Sequence, residues 1–318
     1  MMKEQKFVSV VAYVHNAEDS IPLFLDQVMR FCDDMFYKTE LILVNDGSTD
    51  GSMDVIHRYY EQNTVDYMTS VIRMGRCQGL ETAMNAGRDL AIGDYVFEFD
   101  DLYIDYEMSL IETVYRHCLE GNDIVSASGS ARMHLTSRLF YRLYNLVSGG
   151  RTPLGQESFR ILSRRAINRV KSMGAYIPYR KAVYMNCGLK TDVVTYASSD
   201  ENTGFTRHSN RHDRTSLALD SFIYFTNLME KVSLWVTALF FVIVIGVIIY
   251  VIWSFFEDNH LQSGWVSMMG FMSLGFMGLF GLMSIILKYL SVLLDLVFRH
   301  QRYMIEDIEK IAANSYDK

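Results

Sequence analysis

Apolar and polar residues follow one another in blocks along the first third of the chain, and these blocks predict strands separated by helices. The run FVSVVAYV is rich in β-branched and aromatic residues without strict alternation, which is typical of a strand buried on both faces. ELILVNDG, YMTSVIRM and YVFEFDD predict three further strands, and apolar residues at helical spacing predict helices over 21–31, 52–60 and 79–92. This alternation predicts an α/β fold with a mostly parallel sheet flanked by helices.

Polar clusters follow three of the four predicted strands. The first strand runs into His15 and Asn16, the second ends at Asp46 within NDGSTDGS, and the fourth ends at Asp100 and Asp101. Ligands of open parallel sheets bind at the carboxyl ends of the strands. The clusters therefore predict a binding site at that edge of the sheet.

The acidic residues at these strand ends suggest two kinds of chemistry. Asp46 is placed to accept hydrogen bonds from a base or a ribose, although a turn with a helix cap explains the same residues. Asp100 and Asp101 are adjacent carboxylates that repel each other unless a cation neutralises them, and oxygen ligands suit Mg²⁺ or Mn²⁺. Solvated acids in a loop are the alternative interpretation of this pair.

Two long apolar segments near the C-terminus predict a membrane anchor. Residues 232–256 and 261–287 contain no charged residue, and each is long enough to cross ~30 Å of hydrocarbon as a helix. Residues 211–231 mix apolar and polar positions as an amphipathic juxtamembrane helix does. The predicted organisation is therefore a domain over 1–210, this amphipathic helix, two transmembrane helices, and a C-terminal helix or tail over 288–318.

The charges around the two apolar segments predict their orientation. Lys231 precedes the first segment and Lys288 follows the second, whereas the short connection contains Glu257 and Asp258. Both ends of the hairpin are therefore expected on the cytoplasmic side of the plasma membrane. Glycines recur at about four-residue spacing in the second segment, which fits either homo-oligomer contacts or packing within the hairpin.

Composition and charge narrow the function classes. The chain has 318 residues and a net charge of −7, which argues against a nucleic-acid binder, and its apolar segments argue against a purely soluble or a disordered protein. Four widely separated cysteines predict reduced thiols rather than disulfides or a zinc site. Residues 132–181 are rich in Lys and Arg with Glu157 as their single acid, which predicts contact with phosphate or anionic lipid.

Several of these segments together resemble a known family. VVAYVHNAED, VNDGSTDGS and QGLETAMNAGRDLAIGDYVFEFDD look like the inverting family 2 glycosyltransferases of GT-A fold. NDIVSASGSAR, TSRLFYRLYN, ESFRILSRRAINR and the tail KYLSVLLDLVFRHQRYMIEDI are similar to the polyisoprenyl-phosphate glycosyltransferases, relatives of dolichol-phosphate mannose synthase. The resemblance implies transfer of a sugar, with inversion, from a nucleotide sugar to a polyprenyl phosphate of undecaprenyl type, as in cell-surface polysaccharide synthesis.

The resemblance also implies roles for individual residues. Those that would hold the nucleotide are Ala12, Tyr13, Asn16, Glu18, Asp46 and Gly79. Asp100 and Asp101 would bind the metal and, with Glu157 and Arg160, form the catalytic set. The residues that would face the acceptor phosphate are Arg132, Arg138 and Arg160. An acceptor phosphate is already an anion, so catalysis would consist mainly of positioning and charge neutralisation.

Three departures from the family pattern leave alternatives open. The usual proline near the end of the first strand is absent, and Ser158 precedes the Phe-Arg pair where Asp is common. In the D-x-D motif Leu102 takes the second place after Asp100, whereas Glu98 and Asp100 keep the spacing if they are taken as the pair. A degenerate relative that binds nucleotide sugar or serves as an assembly subunit in glycan synthesis is therefore the rival hypothesis. Direct transfer to a sugar already on a lipid is a third, and it would need a carboxylate base such as Glu157 or Asp105.

Overall fold

The computed structural model describes residues 3–129, 157–173, 179–197, 264–298 and 303–311, together with three isolated helical positions between 235 and 249. Within 264–298 it describes the side chains at only some positions. The contacts divide the chain into two compact units, Met1–Ala218 with His300–Lys318, and Leu219–Arg299. The first unit therefore includes both the N-terminal part of the chain and its C-terminal end.

The first unit begins with the predicted alternation of strands and helices. Its elements up to the fourth strand are β1 (Glu4–Val14), α1 (Ile21–Phe24), a π-helical turn (Leu25–Met29), α2 (Arg30–Met35), β2 (Phe36–Asn45), α3 (Ser52–Gln62), β3 (Met68–Met74), α4 (Leu80–Leu90) and β4 (Tyr95–Phe99). The later elements are α5 (Ser109–Leu119), β5 (Ile124–Gly129), β6 (Phe159–Ser163), α6 (Arg164–Met173), α7 (Arg180–Asn186), β7 (Thr191–Tyr196) and β8 (Ile305–Ile311).

The strands of the described residues form one sheet in the order β7-β5-β6-β4-β1-β2-β3-β8. β4, β1, β2 and β3 are parallel neighbours, and β5 is parallel to β7. β6 runs antiparallel to β4 and β5, and β8 runs antiparallel to β3. The predicted α/β fold with a mostly parallel sheet is confirmed, and the carboxyl ends of β4, β1, β2 and β3 lie along one edge.

The central strands are buried on both faces, as their continuous apolar runs predict. On one face α4 packs closely against β1 and β2 at Gly87, where an added Cβ would lie 2.4 Å from Val11 Cγ1 and 2.7 Å from Val44 Cγ2. Aromatic rings fill part of the core, and the ring centroids of Phe99 and Phe159 are 5.1 Å apart. The scaffold that positions the strand ends is therefore tightly packed.

The cysteines behave as the sequence predicts. None of the four forms a disulfide, and Cys32, Cys118 and Cys187 are buried whereas Cys77 is exposed. Burial raises the pKa of the Cys32 thiol to about 12. The buried thiols are therefore unreactive packing groups, and Cys77 is the accessible one.

The C-terminal residues differ from the predicted helix or tail over 288–318. A helix of 35 residues, α8 (Gly264–Phe298), extends into this range, and β8 then adds an edge strand to the sheet. The sequence IEDIEKI has apolar residues at three-residue spacing, which is close to a helical period. Pairing with the exposed edge of β3 overrides that local pattern.

Most of the predicted membrane anchor lies outside the described residues. This holds for the amphipathic segment 211–231 and for the first apolar segment 232–256 apart from its three isolated positions. Residues 264–287 of the second segment are helical. Within the described part of the chain, no helix is found that is long and apolar enough to cross a membrane. The two transmembrane helices therefore stay a prediction.

Candidate active site

Asp46 lies at the end of β2 and holds the loop that precedes α4. Its carboxylate accepts hydrogen bonds from the backbone N–H of Gln78 (2.7 Å) and Gly79 (2.8 Å) and from the Tyr13 hydroxyl (3.0 Å). The side chain is completely buried. The Asp46 carboxylate therefore binds the loop before α4, about 30 residues away in the sequence, and does not cap the helix that follows its own turn.

The loop after β2 is bonded to the loop after β1. The Asn16 side-chain oxygen accepts a hydrogen bond from the Thr49 N–H (2.8 Å), and the Glu18 carboxylate accepts one from the Gly51 N–H (2.8 Å). Asn16 has a φ of 50°, in the left-handed region that Asn tolerates better than most residues. These bonds fix the two loops to each other at the carboxyl edge of the sheet.

Gly47 allows the loop after β2 to approach the loop after β3. Its φ is +63°, and a Cβ at this position would lie 2.7 Å from the backbone nitrogen of Cys77. A side chain there would force the two loops apart. Three loops therefore meet at the ends of β1, β2 and β3. We call them the three-loop cluster, which comprises residues 13–18 with the end of β1, residues 46–52 with the start of α3, and residues 76–79.

The three-loop cluster contains five of the six residues predicted to hold a nucleotide. Asn16, Glu18 and Gly79 lie in its loops, and Tyr13 and Asp46 are bonded to each other. Ala12 lies within β1, which pairs with β2 on one side and β4 on the other, and its side chain is buried. The structure brings these residues together, and their roles toward a nucleotide stay a prediction.

A second cluster, of buried charges, surrounds Asp100 just beyond the end of β4. Arg160 donates hydrogen bonds to Glu157 (3.0 Å), to Glu98 (2.9 Å) and to Asp100 (2.6 Å). The Arg160 side chain is only 1% exposed and the Glu98 side chain is 0% exposed. All of the Arg160 guanidinium nitrogens are therefore bonded to carboxylates.

Arg180, at the start of α7, holds the same carboxylates from another direction. Its guanidinium donates to Glu98 (2.8 Å), to Asp100 (2.7 Å) and to Glu81 (2.9 Å), and its backbone N–H also donates to Glu81 (2.9 Å). Tyr184 adds a hydrogen bond to the other oxygen of Glu98 (2.8 Å). We call these residues, with Glu157 and Arg160, the buried charge network.

The charges of the network shift the pKa values of its members. Burial acts to raise the pKa of Asp100, but the neighbouring guanidinium groups of Arg160 and Arg180 outweigh it and hold that pKa well below its usual range. Burial acts to lower the pKa of both arginines, and the surrounding carboxylates, Asp100 first, raise it instead. Burial raises the pKa of Tyr184. Asp100 is therefore ionised and both guanidinium groups are charged at neutral pH.

The predicted metal ligands do not fit a divalent cation in this arrangement. The two oxygens of Asp100 are bonded to Arg180 and Arg160, and one oxygen of Asp101 accepts a hydrogen bond from the Tyr103 N–H (3.1 Å). No group of three or more acidic, Cys or His side chains suited to a metal occurs in the described parts of the chain. Two guanidinium groups neutralise Asp100 here.

Glu157 and Ser158 lie just before β6, and both side chains contact other side chains. Glu157 is paired with Arg160 and lies 3.8 Å from the Lys181 ammonium. Ser158 is hydrogen-bonded to Tyr196, whose hydroxyl donates to Asp105 (2.6 Å). Glu157 and Asp105, the two carboxylates considered as a base, thus belong to separate groups of contacts, and their catalytic roles stay predictions.

The residues predicted to face the acceptor phosphate are only partly described. Arg132 and Arg138 lie outside the described residues. Arg160 is buried, with its donors directed at three carboxylates. A role toward phosphate would require these bonds to open, and that role stays a prediction.

The sequence predicts Asp100, Glu157 and Arg160 as site residues, but it does not predict the ion pairs that join them to Glu81, Glu98 and Arg180. Glu98 lies in the otherwise apolar strand YVFEF, and a carboxylate within a strand buried on both faces needs a cationic partner. Glu98 alone therefore indicates, from the sequence, that a cationic side chain on another element must lie beside β4. Glu81, Arg180 and Tyr184 carry no comparable local signal, since each becomes important only when α4 and α7 meet β4.

Comparisons with known proteins identify the chain's relatives. Residues 9–171 match the family model described as Glycosyl transferase family 2. A prophage bactoprenol glucosyl transferase homolog of Escherichia coli is 28% identical over 206 residues, which are 63% of this chain and 66% of that protein. The bactoprenol glucosyl transferase of Shigella phage SfV is 27% identical over 231 residues, which are 71% of this chain and 74% of that protein.

A solved structure shares the fold. Glucosyl-3-phosphoglycerate synthase from Mycobacterium tuberculosis, solved in complex with Mn²⁺, uridine diphosphate and phosphoglyceric acid, superposes with a TM-score of 0.51 at 15% identity. The similarity covers 69% of this chain and 76% of that one. At this identity the similarity establishes the GT-A-like fold alone.

Proposed function

The chain belongs to glycosyl transferase family 2, and from that premise we propose that it transfers a sugar, with inversion, from a nucleotide-diphosphate sugar to a polyprenyl phosphate. Two relatives are named for bactoprenol glucosyl transfer, which supports a polyprenyl acceptor.

The observation that carries the proposal is the three-loop cluster at the carboxyl ends of β1, β2 and β3. This is the edge at which open parallel sheets bind nucleotides. Asp46 preorganises the cluster by holding the backbone of Gln78 and Gly79. We propose that the donor nucleotide binds there, against Tyr13, Asn16 and Glu18.

The acceptor half of the proposal rests on charge. Residues 132–181 are strongly basic in a chain with a net charge of −7. A polyprenyl phosphate brings an anionic nucleophile, which needs little help from a general base. The protein would then supply orientation and cationic neighbours for the phosphates of both substrates. Arg132 and Arg138 belong to this proposed acceptor set.

The membrane part of the proposal rests on the sequence. The uncharged segments 232–256 and 261–287 would anchor the chain as a helical hairpin, with the catalytic domain and the C-terminus on the cytoplasmic face. A polyprenyl phosphate would then present its phosphate at the head-group level while its chain stays in the lipid. Contact between subunits through the second segment is a further part of this proposal.

A non-catalytic binding subunit is the second candidate function, and two observations favour it. Both oxygens of Asp100 and the donors of Arg160 are bonded within the protein, so the buried charge network looks structural in this arrangement. Ser158 replaces the acid common at that position of the family and is bonded to Tyr196.

Transfer by the full chain in detergent tests the proposal. Purified protein is incubated with undecaprenyl phosphate and a panel of radiolabelled nucleotide sugars, and lipid-linked product is extracted and counted. We expect label in the lipid with one donor, and loss of that label when the acceptor is replaced by undecaprenyl alcohol. Nucleotide binding with no transfer to any polyprenyl phosphate would contradict the enzyme and support the binding subunit.

A further inference from the structure

The side-chain amide of Gln78 forms two hydrogen bonds with the backbone of Met304, the residue just before β8. Its amide nitrogen donates to the Met304 carbonyl (2.7 Å), and its amide oxygen accepts from the Met304 N–H (2.9 Å). A primary amide that bonds both backbone groups of one residue fixes distance and orientation together. We call this pair of hydrogen bonds the Gln78–Met304 clamp.

Further contacts dock the same segment on the sheet. β8 pairs with β3 from Thr69 to Met74, and the Gly75 N–H donates to the Met304 carbonyl (3.2 Å). Arg73 and Glu309 form an ion pair at 2.8 Å. The exposed ion pair adds little, but the strand pairing brings Met304 directly beside the loop that contains Gln78.

The residue that holds Met304 also belongs to the three-loop cluster. The backbone N–H of Gln78 donates to Asp46, and so does the next N–H, that of Gly79. Asp46 therefore fixes this loop from the β2 side while Met304 fixes it from the β8 side. A loop held from one side only has more conformations to lose when a ligand binds, which lowers affinity.

We propose that the C-terminal segment 303–311 positions the donor-binding loop 76–79 through the Gln78–Met304 clamp, so that Gln78 is a positioning residue for the nucleotide. The inference rests on the proposed donor site. It gives this part of the C-terminal end a function in donor binding beyond covering the edge of β3.

A backbone substitution at Met304 tests the clamp without touching the loop. Met304→Pro removes the N–H that donates to Gln78, whereas the matched control Met304→Ala keeps both backbone groups. Affinity is measured by calorimetry on the full chain in detergent. The probe is whichever of UDP, GDP, CDP and dTDP the wild-type protein binds most tightly.

We expect Met304→Pro to weaken binding of the nucleotide diphosphate by about 5- to 20-fold, because a loop populated in its binding form only a fraction of the time lowers apparent affinity by that fraction. Met304→Ala should stay within about twofold of wild type. In transfer assays the donor KM should rise while kcat at saturating donor changes little. Equal affinity for the Pro variant and wild type would overturn the inference.

A double-mutant cycle separates positioning from direct contact. If Gln78 acts through Met304, adding Met304→Pro to Gln78→Ala should weaken binding no further than Gln78→Ala does alone, because that variant already lacks both bonds of the clamp. Additive losses would show that Gln78 touches the nucleotide itself, and would also overturn the inference. Melting curves of each variant report on folding, and hydrogen exchange of loop 76–79 should accelerate in the Pro variant but not in the Ala control.

Nucleotide binding by the wild-type protein shows whether a negative result contradicts the proposed donor site or only the role of segment 303–311. If wild-type protein binds none of the four nucleotide diphosphates, the proposed donor site is wrong, and the inference falls with it. If wild type binds and the Pro variant binds equally well, only the role of the C-terminal segment is wrong.

Discussion

Replacing Arg180 by Ala should strongly destabilise the first unit. The side chain is fully buried and its guanidinium donates hydrogen bonds to Glu81, Glu98 and Asp100. Removing one member of a buried ionic network leaves the others without compensation, which costs about 3–5 kcal/mol. This loss is a large part of the free energy of unfolding of a typical domain, which is about 5–15 kcal/mol. The melting temperature should fall by about 6–20 °C.

The pH dependence of the stability lost in Arg180→Ala shows whether the loss comes from the charge of Asp100. In the wild-type protein the pKa of Asp100 lies below its usual range, so its stabilising contribution is complete above the unfolded pKa of about 3.9 and disappears as pH falls through the folded pKa. Without Arg180, Asp100 keeps Arg160 but loses one of the two guanidinium groups that lower its pKa, so its pKa rises and the folded variant takes up a proton at higher pH than the wild type does. The stability gap should therefore be constant from about pH 8 to 6 and narrow as pH approaches 4.

Thermal or chemical unfolding of the purified variants measures the effect. Arg165→Ala is the matched control, because Arg165 also pairs with a carboxylate, Asp123, but is 70% exposed and should cost no more than about 1 kcal/mol. Arg180→Lys should fall between the two, since Lys keeps the charge and loses the fork of donors. An Arg180→Ala protein that melts like the Arg165→Ala control would refute the network as a source of stability.

Three further predictions concern other parts of the molecule. Asp46→Asn replaces one acceptor oxygen by an NH₂ group that faces backbone N–H donors. Unfolding experiments should show that the free energy of unfolding falls by about 1–3 kcal/mol, and calorimetry should show that nucleotide affinity falls about 10- to 100-fold. Because guanidinium groups already neutralise Asp100, EDTA should change nucleotide affinity less than about threefold, and a larger loss would show that the network opens to admit a cation. Gly87→Ala should cost about 1–3 kcal/mol in unfolding experiments, because its Cβ would collide with Val11 and Val44.

The parallel core of the fold was predictable because its signals are local. β1 to β4 have apolar runs bounded by turn residues, and parallel strands must place their carboxyl ends at one edge. That geometry alone places Asp46 and Asp100 at this edge. β8 was missed because IEDIEKI has a nearly helical period, and only the unpaired edge of β3, far away in the sequence, favours a strand there.

The chemistry around Asp100 was less predictable for a related reason. Adjacent carboxylates in a sequence indicate that a cation is needed, but they do not indicate which one. A metal satisfies that requirement, and so do the guanidinium groups of Arg160 and Arg180, which reach Asp100 from elements 60 and 80 residues away. Glu98 adds a second buried carboxylate beside Asp100, so this region needs more than one cation. Only the folded chain shows that Arg160 and Arg180 supply them.

The first turn of α4 joins the two clusters physically. The loop residues Gln78 and Gly79 are held by Asp46 and Met304, and Glu81, in the first turn of the helix, is held by Arg180. Because this loop runs directly into α4, we expect a displacement of the loop also to move the Glu81 carboxylate, which fixes Arg180. Arg180 in turn fixes Asp100. Opening of the buried charge network, which a phosphate-binding role of Arg160 would require, is therefore mechanically linked to the position of the proposed donor loop.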